Sequence, residues 1–258
     1  MQQYLEIENL TAFGFVFLRM TGCIVFNPIL GRRNVPTIAR AGMALILALL
    51  VYSYQDTSSI GQIDSTIEYI VLGTKEFVVG FVIGFVVSLF SYIIILGGEV
   101  ADMQMGLAMS KVYDPASNVS LSLSATFYNI LFMFAFFSVG GHITLFKLFI
   151  EMGRLVPYGQ VAIGPEVSST MISVFCQCTI LGMKLAMPMV ALQFLLEMGV
   201  GVLMKNIPQI NVMMINIQAK IFIGLVFLVV IFSPMMSFAD NLVEQMFNAI
   251  NKMTELMG

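Results

Sequence analysis

The chain has 258 residues, of which 59% are hydrophobic and only 10% are charged, and its formal net charge is −3. Soluble domains carry roughly 25% charged residues, so this composition excludes a soluble protein whose whole surface is in contact with water. No Lys/Arg run is longer than Arg32-Arg33, which excludes a nucleic-acid-binding surface.

Long apolar runs indicate an integral membrane protein, and helices are the expected spans because lipid offers no partner to exposed backbone groups. The first run contains Arg19 after an acidic start, so we interpret it as a retained segment rather than a signal peptide. The runs fall at about 10–30, 39–54, 69–97, 124–150, 170–204 and 217–238.

Two of these runs do not have the length of an ordinary span. The run at 69–97 would reach about 40 Å as a helix, beyond a hydrocarbon core of ~30 Å, so it must tilt, bend or project out of the bilayer. The run at 170–204 contains Pro188, which favours two shorter helices or a kinked one over a straight span. The sequence therefore predicts an all-α membrane protein of six to seven hydrophobic helical segments, without a soluble domain.

The C-terminal tail, residues 239–258, is predicted to be an amphipathic helix. Apolar residues recur there at helical spacing, with polar residues on the opposite face. The apolar set is Phe238, Leu242, Met246, Ile250 and Met253, and the polar set is Asn241, Gln245 and Asn248.

The stretch Gly97–Asn118 collects polar residues between two apolar runs. Glu99 and Asp102 are three residues apart, so they share a helix face. Gly106 permits the backbone to leave the helix sharply, and Asp114-Pro115 favours an extended or turn geometry. The stretch is therefore expected to end one helix and begin an irregular connection.

Methionine is abundant, with 21 residues. Its usual role is to fill gaps in an irregular core. Around Gly106, however, Met103, Met105 and Met109 are equally compatible with a deformable lining.

Charges inside apolar runs are informative, because each costs at least ~2.5–3 kcal/mol at the centre of a membrane helix. For Arg19, Glu99, Asp102 and Lys184, a buried pair or a water-lined conduit is as plausible as snorkelling to the interface. Arg19 is a candidate partner of the two carboxylates, although Lys111 is nearer to them in sequence. For Lys75, Glu76 and Lys147 we favour snorkelling or pairing with a neighbour. Glu197 and Lys220 also lie inside apolar runs.

The sequence predicts neither enzyme activity nor a cofactor or metal. His142 is the single histidine, and a zinc or triad site would need partners at matching spacing. A helix-packing role and a proton-relay role both remain open for it. The three cysteines lie in apolar runs, where they act as small apolar filler rather than as a disulfide framework.

Motifs along most of the chain resemble the FliR family of flagellar type III export, whose injectisome relatives are called SctT. Six motifs stand in the family's order between about residues 15 and 225. They are Arg19-x-x-Gly22; Asn27-Pro28-x-x-Gly31 with Val35-Pro36-x-x-x-Arg40; Glu76, Gly80 and Gly84; Gly98-Glu99-x-x-Asp102-x-Gln104-x-Gly106 followed by Asp114-Pro115; Gly141-His142; and Lys184-x-Ala186-x-Pro188, Glu197 and Pro208-Gln209-x-Asn211 with Lys220.

This resemblance implies one membrane domain over residues 1–258, in a helical assembly with FliP and FliQ subunits and beside FlhB and FlhA. It also implies a place in the flagellar basal body, in the bacterial inner membrane among its lipids. The assembly would be the gate through which unfolded flagellar subunits leave the cytoplasm.

The resemblance further implies that a loop within residues 98–120 helps to plug the closed channel. The residues expected to form or shape the plug are Met103, Met105, Gly106, Met109, Val112, Tyr113, Asp114 and Pro115. Unbranched methionines can repack around a passing chain of any sequence. A small-solute or ion transporter and a scaffold without substrate contact are the alternatives.

Overall fold

The computed structural model describes residues 7–32, 35–55, 65–107, 112–114, 119–206 and 212–258. The elements are α1 (Ile7–Val25), α2 (Thr37–Tyr54), α3 (Thr66–Met105), β1 (Val112–Asp114), β2 (Val119–Leu121), α4 (Leu123–Ser138), α5 (Gly141–Leu155), α6 (Pro165–Asn206), α7 (Val212–Val230) and α8 (Phe232–Glu255). The two short strands form an antiparallel hairpin in which Val112 lies opposite Leu121. The prediction of an all-α membrane protein is confirmed, with this small hairpin between α3 and α4.

Within the described residues, three helices, α2, α3 and α6, are long and apolar enough to cross a membrane, and two bent pairs bring the number of candidate spans to as many as five. The bend between α4 and α5 is 64° and follows Gly140, whose φ of 74° stops α4. The run predicted at 124–150 is thus divided into two helices, α4 and α5, because hydropathy alone does not reveal a bend inside an apolar run.

The overlong third run is confirmed as one helix of 40 residues, α3. Of the two alternatives predicted at Pro188, two separate helices are wrong, because α6 is one helix of 42 residues that contains the proline. A kink at Pro188 stays a prediction. Proline is tolerated in membrane helices where neighbours satisfy the freed backbone group. Ala186 and Met189 beside it are buried, so packing supports the helix on both sides of the proline.

The chain folds as two compact units. The first comprises Met1–Leu89, Gly140–Phe175 and Glu244–Gly258, and the second comprises Phe90–Val139 and Cys176–Val243. The long helices α3, α6 and α8 each contribute residues to both units.

In the first unit, α1 and α3 touch backbone to backbone at glycines. A side-chain carbon on Gly80 would overlap the carbonyl oxygen of Arg19 and lie 2.8 Å from the nitrogen of Cys23. One on Gly22 would lie 2.5 Å from the carbonyl oxygen of Phe77. The close contact at Gly80 is therefore made within the chain, between α3 and α1.

Replacing Gly80 by alanine is expected to destabilise the first unit by about 1–3 kcal/mol, the usual effect of overpacking, because the colliding atoms are backbone. Gly42→Ala on α2 is the matched control, since nothing lies within 4 Å of a side-chain carbon there. The midpoint of thermal unfolding in detergent checks the difference. Equal midpoints for the two variants would contradict the close approach.

The C-terminal helix α8 begins at Phe232, seven residues before the predicted tail, after a 60° bend from α7. Four residues of the predicted apolar face are fully buried, namely Leu242, Met246, Ile250 and Met253. Asn241 and Asn248 are exposed.

Candidate functional site: buried charges and the α3–α4 junction

Arg19 and Glu76 form a buried ion pair between α1 and α3. Nε and Nη2 of Arg19 both lie 2.6 Å from Oε2 of Glu76, and neither side chain is exposed. The Nε contact is an aligned hydrogen bond, whereas the Nη2 contact is close but not aligned as one. Arg19 Nη1 also donates to the Val156 carbonyl at 2.8 Å, and the Gly159 N–H donates to Glu76 Oε1 at 2.8 Å. The pair therefore fixes the segment after α5 against α1 and α3.

Tyr158 completes this charge network from the same segment. Its ring centroid lies 4.0 Å from Cζ of Arg19, a cation–π distance. Burial raises the pKa of the Tyr158 phenol to about 12, with the nearby Arg19 charge lowering it and the Glu76 charge raising it. The phenol is therefore neutral at physiological pH, and the carboxylate of Glu76 alone balances Arg19.

The predicted pairing of Arg19 with Glu99 or Asp102 is wrong. Both of those carboxylates lie on the same helix as Glu76, about 35 Å or more further along it at 1.5 Å per residue. For Glu76 the sequence predicts either snorkelling or pairing with a neighbour, and the structure shows the pairing. The available signal was that Arg19 precedes Gly22 by three residues and Glu76 precedes Gly80 by four, which places each charge beside a close-contact glycine.

Asp102 is paired at the junction of α3 and α4. Its side chain is buried, and Oδ2 accepts the backbone N–H of Ser124 at 2.7 Å while Oδ1 accepts the Ser124 hydroxyl. Ser124 lies in the first turn of α4, where backbone N–H groups lack intrahelical partners and negative charge is stabilised by the helix dipole. Asp102 therefore caps α4 from another helix, because Ser122 at the N-cap makes no side-chain cap bond.

One face of α3 holds this junction together. Gly98, Asp102 and Met105 are four and three residues apart, so they lie in line on the helix. A side-chain carbon on Gly98 would lie 2.5 Å from the nitrogen of Ala125. Met105 is 0% exposed and packs so closely on α7 that a side chain at Gly224 would overlap its sulfur. α3 then ends at Gly106, whose φ is 80°.

The predicted plug residues differ in their exposure and in the element to which they belong. Met103 is 67% exposed, whereas Met105 is buried. Val112, Tyr113 and Asp114 form β1. Met109 and Pro115 lie outside the described residues. Their role as a plug stays a prediction.

Glu197 and Lys220 are neighbours across α6 and α7, where Lys220 Nζ donates to Glu197 Oε1. The pair is not buried, because the side chain of Glu197 is 49% exposed. Gln193, one turn before Glu197, is buried and donates to the carbonyl oxygen of Lys220 at 3.1 Å. Lys184 is exposed on α6, and its role as a charge buried in the assembly or facing a water-lined conduit stays a prediction.

The three cysteines are free, with Cys23 and Cys178 buried and Cys176 exposed. Among the residues that the structure describes, no group of three or more His, Cys, Asp or Glu side chains could hold a metal ion. Glu99 and His142 are half-buried and each has an interaction partner.

Comparison with known proteins places this helical arrangement in a family. The family model described as bacterial export proteins, family 1, matches residues 10–246. The chain belongs to the bacterial export proteins, family 1. The matched residues include all of α2 to α7, the ion pair of Arg19 with Glu76, and the contact of Asp102 with Ser124.

Relatives of this family 1 export protein include flagellar and secretion components. The chain is 26% identical to flagellar biosynthetic protein FliR of Bacillus subtilis (strain 168), over 98% of each chain. It is 22% identical to flagellar biosynthetic protein FliR of Escherichia coli (strain K12), over 96% of this chain and 94% of the relative. It is also 25% identical to Yop proteins translocation protein T of Yersinia pestis, over 90% and 89%. The predicted resemblance to the FliR and SctT family is confirmed.

Proposed function

We propose that this chain is a component of the flagellar type III protein export gate. It helps to form and seal the channel through which unfolded flagellar subunits cross the bacterial inner membrane at the flagellar basal body. Its membership of the family and its likeness to flagellar biosynthetic proteins along nearly the whole chain support this proposal. The role is conduction and closure rather than catalysis.

The observation that carries the sealing role is the α3–α4 junction. Gly98, Asp102 and Met105 bind the end of α3 to α4 and α7 through a dry, close contact. From this fixed base the chain enters the β1–β2 hairpin. A seal against ions needs such a base, because a plug whose root moved freely would not exclude water.

The proposed partners are FliP- and FliQ-type subunits, with FlhB and FlhA as neighbours. Helix α6 contains an apolar stretch of 18 residues that is long enough to cross a membrane, and only 17% of that stretch is buried within the chain. Its exposed side chains include Phe175, Ile180, Phe194 and Leu195. Contiguous apolar surface of this kind is covered by lipid or by another subunit's helices.

Co-purification tests this proposal. With FliP- and FliQ-type subunits co-expressed, we expect the tagged chain to carry both through detergent extraction and size exclusion as one stable complex. An unrelated membrane protein of similar size, tagged in the same way, is the control for shared micelles. Recovery of the chain alone, as a monomer that transports a specific solute in liposomes, would overturn the proposal in favour of a transporter.

The second candidate is the equivalent component of an injectisome. The likeness to a translocation protein for Yop proteins over 90% of the chain favours it. Complementation separates the two candidates. Restored swimming in a strain that lacks its FliR-type gene supports the flagellar role, whereas restored effector secretion in a strain that lacks its SctT-type gene supports the injectisome role.

A further inference from the structure

The contact between Asp102 and Ser124 joins the two ends of the segment that carries the proposed plug. The two residues are 22 positions apart, and both are buried. Ser124 contributes its backbone N–H and its hydroxyl, so both oxygens of Asp102 are used by one residue. We call this pair of hydrogen bonds the Asp102–Ser124 clasp.

The clasp is stronger than an ordinary side-chain contact for two reasons. Hydrogen bonds to an ionised group are roughly twice as strong as neutral ones. The carboxylate also faces the first turn of α4, where the partial positive charge of the helix stabilises it. Breaking the clasp by removing Ser124's hydroxyl or the charge of Asp102 therefore weakens a specific, desolvated link.

Packing beside the clasp does not replace it. Met105 fits against Gly224 and near Gln193 through a flexible thioether, which can adjust its rotamers. Gly98 touches Ala125 without any side chain. The clasp is a directional contact at this junction, and it links α3 to the start of α4.

We infer that Asp102 and Ser124 are positioning residues for the seal, holding both ends of the hairpin segment together in the resting gate. This inference rests on the proposed function, since it assigns the clasp to the same channel closure. The clasp acts through α3 and α4, which it holds together at the two ends of the segment. Weakening the clasp is therefore expected to weaken the seal.

The test uses the chain assembled with its FliP- and FliQ-type subunits in a bacterial membrane without export substrate. Ion leak is measured by a dye that reports membrane potential. We expect Asp102→Asn and Ser124→Ala each to raise the leak roughly five- to thirtyfold, the factor by which losing one strong hydrogen bond shifts a two-state equilibrium. Levels of assembled complex are measured in parallel and should match the unmodified chain.

Two control variants make the same chemical changes elsewhere in the second unit. Asp240→Asn alters an exposed carboxylate on α8. Ser138→Ala removes a hydroxyl at the other end of α4, where it bonds locally to the Ala135 carbonyl oxygen at 3.0 Å. Neither control variant should raise the ion leak above that of the unmodified chain. A leak in them equal to that of the clasp variants would overturn the inference.

The exchanged double variant, Asp102→Ser with Ser124→Asp, restores a hydroxyl–carboxylate pair and places the acid in the first turn of α4, where it is favoured. We expect it to show less ion leak than the single variants.

If the single variants show no added ion leak while deletion of residues 108–118 does, the clasp inference is wrong and the proposed seal stands. If that deletion is also tight, the proposed seal fails. Loss of assembly in the single and exchanged variants alike would assign the clasp to folding and overturn the inference.

Discussion

Replacing Arg19 by alanine is expected to destabilise the first unit by about 3–5 kcal/mol, because it leaves the Glu76 carboxylate buried without its partner. The change also removes the donor to the Val156 carbonyl and the cation over the ring of Tyr158. The segment after α5 thereby loses its attachment to α1. The midpoint of denaturant unfolding in detergent, together with the amount of protein in the membrane, measures the effect.

Two variants separate the ion pair from a general effect of losing arginine. Arg154→Ala removes an exposed arginine in the last turn of α5 and should change stability little. The double variant Arg19→Met with Glu76→Leu removes both charges together. It should recover most of the loss, since replacing a whole buried pair by apolar residues is often neutral or stabilising by about 1–4 kcal/mol. A double variant as unstable as Arg19→Ala would mean that the contacts to Val156 and Gly159 matter more than charge balance.

Deleting residues 108–118 and bridging the gap with a short Gly-Ser linker is expected to make the resting gate leak ions and small solutes. Asp102, Gly106 and Ser124 are retained, so the contact between the ends of the segment is kept while strand β1 and its connection to β2 are lost. Membrane depolarisation and entry of a small impermeant dye measure the leak. Export of flagellar subunits is expected to continue, because the conduit itself is not shortened.

The same deletion in cells without the FliP-type subunit is the control. We expect no leak there, because the channel exists only in the assembled gate. A leak without that subunit would show that the deletion damages the membrane non-specifically. A tight membrane with the complete assembly would show that another element seals the channel.

The class of the protein could be predicted from residues alone. Composition and long apolar runs indicated an all-α membrane protein, and α3 was recognised as overlong. Gly106 ends that helix, as its lack of a side chain suggested. These features depend on local conformational preference and hydrophobicity, which neighbouring residues in the sequence already contain.

The candidate site was predicted only in part. The sequence indicates that Arg19 and Asp102 are costly charges that need partners, but it leaves those partners open, and the candidate pairing of the two residues with each other does not occur. Arg19 binds a residue 57 positions away, and Asp102 binds one 22 positions away. Ser124 drew no attention, since a serine at the start of an apolar helix usually acts as a local cap.

The residues alone indicate that this chain is a helical membrane protein, and they show which charges and glycines are costly or unusual. The pairing of Glu76 with Arg19, the capping of α4 by Asp102 and the continuity of α6 through Pro188 become visible only in the folded chain. The physical reason is that helical periodicity defines the face on which a residue lies, but not which other helix covers that face. The backbone contact between Gly22 and Gly80 brings Arg19 and Glu76 together, and that contact exists only once α1 and α3 have packed.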